Sequence, residues 1–196
     1  MTGRNIIIST FFLVAAFFVF NGCLLETGKT TRGQGIKQLN ADDLFDRGIS
    51  LAAKEQYDEA IKAFDRALEI NSKHDNSFWG RGIAWAMKGD PDRAIADYNR
   101  ALEINPNHPF VYVNRGRAWN DKGDYDKAIS DYNRYLEIHP RNAEAYSNRA
   151  FAFAKKGNLK RALADAKRAL SLNPTNEVYR FAVSKIEAKI RKAEAQ

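Results

Sequence analysis

The sequence is poor in the residues that most often carry chemistry. Its 196 residues include one cysteine, Cys23, and three histidines, His74, His108 and His139. A lone cysteine closes no internal disulfide, so pairing says nothing about compartment. His74 and His108 fall at equivalent points of a repeating pattern, on successive units, so they do not converge on a metal or a substrate. No serine has a base at a meaningful spacing, and the acids follow repeating columns or helix starts. Gly28-Lys29-Thr30 lacks the glycine that a phosphate loop needs five residues earlier, where Cys23 stands. We therefore expect no catalytic residue, no metal site and no cofactor. Aromatic residues recur at packing positions, which argues against a base-stacking surface and hence against nucleic acid. Long apolar runs are missing too, with one exception at the N-terminus.

What the sequence does have is a fixed period, held four times without insertion or deletion. Gly48, Gly82, Gly116 and Ala150 form one column, and Ala60, Ala94, Ala128 and Ala162 another. Phe64, Tyr98, Tyr132 and Ala166 form a third, and Ala67, Ala101, Tyr135 and Ala169 a fourth. A constant period of this size marks stacked supersecondary units rather than one closed globule.

Residues 109–142 show the unit most clearly. Val111, Tyr112, Ala118 and Trp119 fall at helical spacing from Phe110 to about Asp121. Gly123 offers the left-handed position that ends a helix, and Asp124 an oxygen to cap the next. A second helix is predicted from Tyr125 to Ile138, stopped by Pro140. In the preceding unit Asp90-Pro91 sets a capping acid before proline at the first helical position. Each unit is thus a helical hairpin with an apolar side that only stacking buries. After Pro174 a further amphipathic helix is predicted to cap the stack with Val178, Phe181, Ala182, Ile186 and Ile190.

The spacing Tyr112-x2-Arg115-Gly116-x2-Trp119, then Ala128-x3-Tyr132, then Pro140, resembles the tetratricopeptide repeat. The resemblance covers residues 41–176, in units 41–74, 75–108, 109–142 and 143–176, followed by a capping helix over 177–196. It implies an all-α, right-handed solenoid whose function is to bind a protein or peptide in a groove lined by the first helix of each unit. Where the family usually has leucine before the glycine, this chain has Arg47, Arg81, Arg115 and Arg149. Asp97, Asp131 and Asp165 recur with them, and a structural Arg–Asp ladder between helices is expected. Ala63 takes the aspartate's place in unit one, leaving Arg47 in need of another partner.

Projection onto the first helices places Phe45, Ile49, Trp79, Ile83, Met87, Phe110, Val113, Asn114, Arg117 and Phe151 in the groove. Trp79 and Met87 are expected to act as an adaptable apolar anchor site. Members that grip a chaperone's C-terminal carboxylate use a set of lysine, asparagine and arginine positions. Only Asn114 fills one of these in units two to four, where Trp79, Ile83, Glu144 and Asn148 stand instead, so chaperone-tail binding is not expected.

The N-terminus is of another kind. Ile6 to Phe20 carries no charge, is short for a membrane span and suits a signal-peptide core. It ends in Phe20-Asn21-Gly22-Cys23, which resembles the lipobox of bacterial lipoproteins, although Phe20 and Asn21 depart from the usual residues. The resemblance implies a signal peptide over 1–22, a lipid on Cys23, a tether over 23–40 and a periplasm-facing envelope protein. Ordinary cleaved secretion and an uncleaved anchor are the alternatives. The formal charge of +7 is uneven, running −3, −1, +1 and +5 over the four units. The basic surplus in unit four reads either as a solvated face or as contact with an anionic surface. Self-association is the rival reading of the groove, and a cytosolic adaptor the rival if the N-terminus is misread.

Overall fold

The computed structural model describes residues 39–195. The expectations placed on residues 1–38, Cys23 included, lie outside that span. The described residues form helices α1 (Ala41–Ala53), α2 (Tyr57–Ile70), α3 (Asp75–Met87), α4 (Pro91–Ile104), α5 (Pro109–Lys122), α6 (Tyr125–Ile138), α7 (Ala143–Lys155), α8 (Leu159–Leu172) and α9 (Glu177–Glu194), with no strand among them. No described helix is long and apolar enough to cross a membrane.

Local chemistry sets the boundaries. Asn40 and Asp43 close a capping box on α1, and the side chains of Asp90, Asp124, Asn142, Asn158 and Asn176 accept from backbone N–H groups of the helices they precede. The turn inside each hairpin needs one left-handed residue. Gly89, Gly123 and Gly157 supply it at φ of +81°, +80° and +79°, and in unit one Glu55 takes the same role at +60°. A side chain there is strained, so unit one has the less relaxed hairpin.

The hairpins α1–α2, α3–α4, α5–α6 and α7–α8 stack in order, each second helix lying against the next unit's first helix. First helices also touch across units, α1 to α3, α3 to α5 and α5 to α7, whereas no comparable contact joins successive second helices. The stack therefore bends with first helices on the inside. The described residues thus form an all-α solenoid of stacked helical hairpins.

Its core is a series of joints rather than one centre. Ala94, Ile95, Tyr98, Ala101 and Leu102 of α4 share a cluster with Val111 and Ala118 of α5. Tyr132, Tyr135 and Leu136 of α6 meet Ala145 and Ala152 of α7 in the next. Within each hairpin the second-helix ring sits on a glycine. A Cβ added to Gly48, Gly82 or Gly116 would lie 2.5 Å from Phe64, 2.6 Å from Tyr98 or 2.8 Å from Tyr132. Unit four solves the same contact with Ala150 against Ala166, both buried.

The capping helix differs from expectation. It docks as a first helix would, turning Val183, Ile186 and Ile190 onto unit four. That rotation leaves Val178 and Phe181 63% and 65% exposed rather than buried.

If the glycine column exists for ring clearance, Gly116→Ala will destabilise the fold although alanine is the better helix former. The overpacking cost is on the order of 1–3 kcal/mol against a propensity gain of about 1 kcal/mol. A urea melt showing Gly116→Ala more stable than the parent would refute this account.

Candidate functional site: the inner face and its charged frame

Three arginines hold the first helices in place. Arg81 donates from Nε and Nη2 to the Asp97 carboxylate at 2.8 and 2.7 Å, and from Nη1 to Asp65 at 2.5 Å. Arg115 does the same to Asp131 at 2.9 and 2.7 Å and to Asn99 Oδ1 at 2.8 Å. Arg149 bonds Asp165 at 2.7 and 2.8 Å and Asn133 Oδ1 at 2.7 Å. Each guanidinium thus clasps a partner sixteen residues ahead in its own hairpin and another sixteen residues behind in the preceding unit. The planar fork supplies both bonds at once, which a lysine could not. The backward partners Asp65, Asn99 and Asn133 were missed from sequence, although they recur once per unit like every other column.

A second ladder runs along the turns. Lys88 pairs with Asp58, Lys122 with Asp92 and Lys156 with Asp126, always thirty residues back. Both ladders end together. In unit four Lys160 and Lys167 occupy the two acceptor columns, and on α9 Val183 and Ile190 replace the donors. At the other end Arg47 and Lys54 are exposed, with no preceding unit among the described residues.

Between units, histidines make the joints. His74 Nδ1 lies 2.6 Å from Ser77 Oγ, and its Nε2 lies 3.0 Å from Asp42 Oδ1. His108 Nε2 lies 3.1 Å from Asn76 Oδ1, and burial lowers its pKa below the usual imidazole range. The described residues contain no group of three or more His, Cys, Asp or Glu able to hold a metal ion.

The inner face carries the predicted groove residues unevenly. Phe45 leans on Phe64 and His74 at 5.9 and 5.7 Å, and Ile49 and Ile83 are half-buried against the cores of units one and two. Trp79 packs against His108 and Phe110 at 5.5 and 6.3 Å, with its Nε1 buried and unpartnered. Met87 is half-buried at the end of α3. Val113 is not open to a ligand. It is 8% exposed and shares a cluster with Tyr132 of its own hairpin and with Ala145 of the following unit's first helix. Arg117 bonds Asn114 at 3.5 Å and pairs with Glu144, whose pKa burial raises against the pull of that arginine. Phe110 and Phe151 are 51% and 49% exposed. Of the predicted groove residues, the most open apolar ones thus lie in units three and four, and those of units one and two pack largely against one another. Two open depressions, about 650 Å³ beside Trp119 and Tyr125 and about 350 Å³ beside Tyr135 and His139, lie at turns and enclose nothing.

Two substitutions separate frame from face. Arg115→Ala strands Asp131, whose carboxylate is 6% exposed, and will cost on the order of 1–3 kcal/mol. Burial already raises the Asp131 pKa above the usual carboxylate range, opposed by Arg115. A raised folded-state value favours the fold at low pH and loses that contribution as pH rises through it. The Arg115→Ala deficit should therefore be largest at neutral pH and shrink on acidification, as urea melts across that range will show. Trp79→Ala, in turn, will cost stability on the order of 2–4 kcal/mol because the ring is packed rather than presented. A Trp79→Ala melt that matches the parent would restore the ring as an open anchor.

Comparison with known proteins matches this geometry. Family models described as tetratricopeptide repeat match residues 45–109, 97–130 and 143–176, and one described as TPR repeat matches 116–157. No curated protein matches significantly. Among solved structures, MamA 41-end from Desulfovibrio magneticus RS-1 is 18% identical with a TM-score of 0.74, over 79% of this chain and 88% of that one. A tetratricopeptide repeat protein from Parabacteroides merdae is 20% identical with a TM-score of 0.67, over 78% and 59%. The first TPR of Spaghetti (RPAP3), bound to HSP90 peptide SRMEEVD, is 26% identical with a TM-score of 0.59, over 62% and 96%. With family models running unbroken from residue 45 to 176, this chain belongs to the tetratricopeptide repeat family.

Proposed function

We propose that this chain is a non-enzymatic adaptor of a bacterial cell envelope, held to the membrane by a lipid on Cys23 and binding a segment of a partner protein along its inner face. The observation that carries the reading is exposed apolar surface on a rigidly framed inner face, at Phe110 and Phe151. Aromatic side chains are enriched in the buried centres of protein interfaces, where they anchor a partner. A related repeat domain solved with a bound peptide supports the same mode of recognition. The residues of a carboxylate clamp are missing here, so the segment is not a chaperone tail.

The envelope location rests on Phe20-Asn21-Gly22-Cys23 after an uncharged run. On the resemblance to small repeat lipoproteins, the process served is assembly of an envelope machine such as a pilus, a secretion channel or a cell-wall enzyme complex. End-to-end self-association, the rival reading, would have to seat α1 of one copy on α9 of the next, because α9 already covers unit four.

Two measurements test the proposal. Cys23→Ser should accumulate as unprocessed precursor, while detergent-extracted parent protein should show an acylated N-terminal cysteine by mass spectrometry; an intact Met1 on mature protein would end the lipoprotein reading. A photo-crosslinker at Phe110 should capture a partner in native envelopes where one at exposed Arg100 of α4 does not. Equal capture from both positions would remove the inner face as the binding surface.

A further inference from the structure

We propose that α9 is the C-terminal wall of the binding surface as well as a cap, and that this wall takes an acidic segment with apolar anchors from another protein. This rests on the inner face being the binding surface.

The register places α9 in the role of a fifth first helix. Val178 and Phe181 stand one repeat after Glu144 and Ser147 on α7, and two repeats after Phe110 and Val113 on α5. Lys185 follows Phe151 and Lys189 follows Lys155 by the same step. The side of α9 that carries Val183, Ile186 and Ile190 is taken up by unit four, so Val178, Phe181, Lys185 and Lys189 continue the inner face. A cap that serves only to solvate the end of a stack would present polar residues here. This one presents the two most exposed large apolar side chains in the described residues, 63% and 65% open.

The charge around them is of one sign. Lys185 lies 5.7 Å from the centre of the Phe181 ring, and Lys155 lies 5.3 Å from that of Phe151. The nearby acids are already engaged. Glu144 is held by Arg117, Asp165 by Arg149, Glu177 by Arg180 and Glu187 by Lys167. Lys155, Lys185 and Lys189 have no carboxylate partner among the described residues. Two rings and a valine flanked by three such cations are complementary to an amphipathic segment bearing both Leu or Phe anchors and Asp or Glu. The curvature of the stack favours a segment over a flat membrane surface.

The test pans a random-peptide display library against the full chain in nanodiscs of neutral phosphatidylcholine, then titrates the enriched peptides. Phe181→Ser, Lys185→Glu, Met87→Ser and, as the control on α4, Arg100→Ser are compared, with circular dichroism melts to show that each variant is folded. Enriched peptides should be net negative with large apolar residues, and should bind more weakly as salt rises. Phe181→Ser and Lys185→Glu should each weaken them by roughly tenfold or more, and Arg100→Ser by less than about twofold. Enrichment of neutral or basic peptides, or peptides lost with Met87→Ser and indifferent to Phe181→Ser, would overturn the assignment to α9 and leave peptide binding standing. Failure to enrich any peptide over empty nanodiscs would overturn both readings. If phosphatidylglycerol vesicles bind through Phe181 and no acidic peptide enriches, the wall is a lipid contact and the proposal is wrong.

Discussion

A ring laid against a bare backbone holds this molecule together. Phe64, Tyr98 and Tyr132 each come so close to the glycine of the facing helix that a methyl group would collide. That contact sets the distance between the two helices of a hairpin, and the hairpin spacing sets where every other side chain falls. Unit four confirms the dependence by changing both partners, with Ala150 gaining the methyl group that Ala166 makes room for. The contact is dispersion and shape rather than polarity, so it tolerates a paired change and penalises a single one.

The arginine frame is built on the same offset. Sixteen residues separate each glycine from its ring, and sixteen separate each arginine from its aspartate. Because the guanidinium also reaches sixteen residues back, it ties a hairpin and a stacking joint with one group. Such pairs add little net energy for burying a charge, but they penalise a slipped register heavily. Their contribution is to fix the register of the stack.

Much of this was legible because the repeat makes each residue testify four times. Helix boundaries around Gly123, Asp124 and Pro140, and the existence of an Arg–Asp ladder, follow from columns that agree, while the structure selects Asp131 as the carboxylate for Arg115. Three things were not legible for physical reasons. The backward partner of Arg115 is Asn99, a neutral acceptor that no charge pattern flags. Val113 and Trp79 look like groove residues by projection, but helix rotation and neighbouring rings decide their burial. On α9 the apolar stripe is wider than the surface it covers, and only docking shows that Val178 and Phe181 are left over.

The strained turn at Glu55 acquires a further meaning once the stack is seen as a line of nearest neighbours. A chain of this kind opens locally, from whichever end is held least. Among the described residues, unit one has a neighbouring unit on one side only, an arginine without an in-hairpin aspartate, and a left-handed turn that lacks glycine. The opposite end is locked by α9. Transient opening therefore begins at α1 and travels toward the middle, so amide exchange along the chain should be graded, fastest near Glu55 and slowest around Tyr132. The molecule is elastic at one end and stiff at the other.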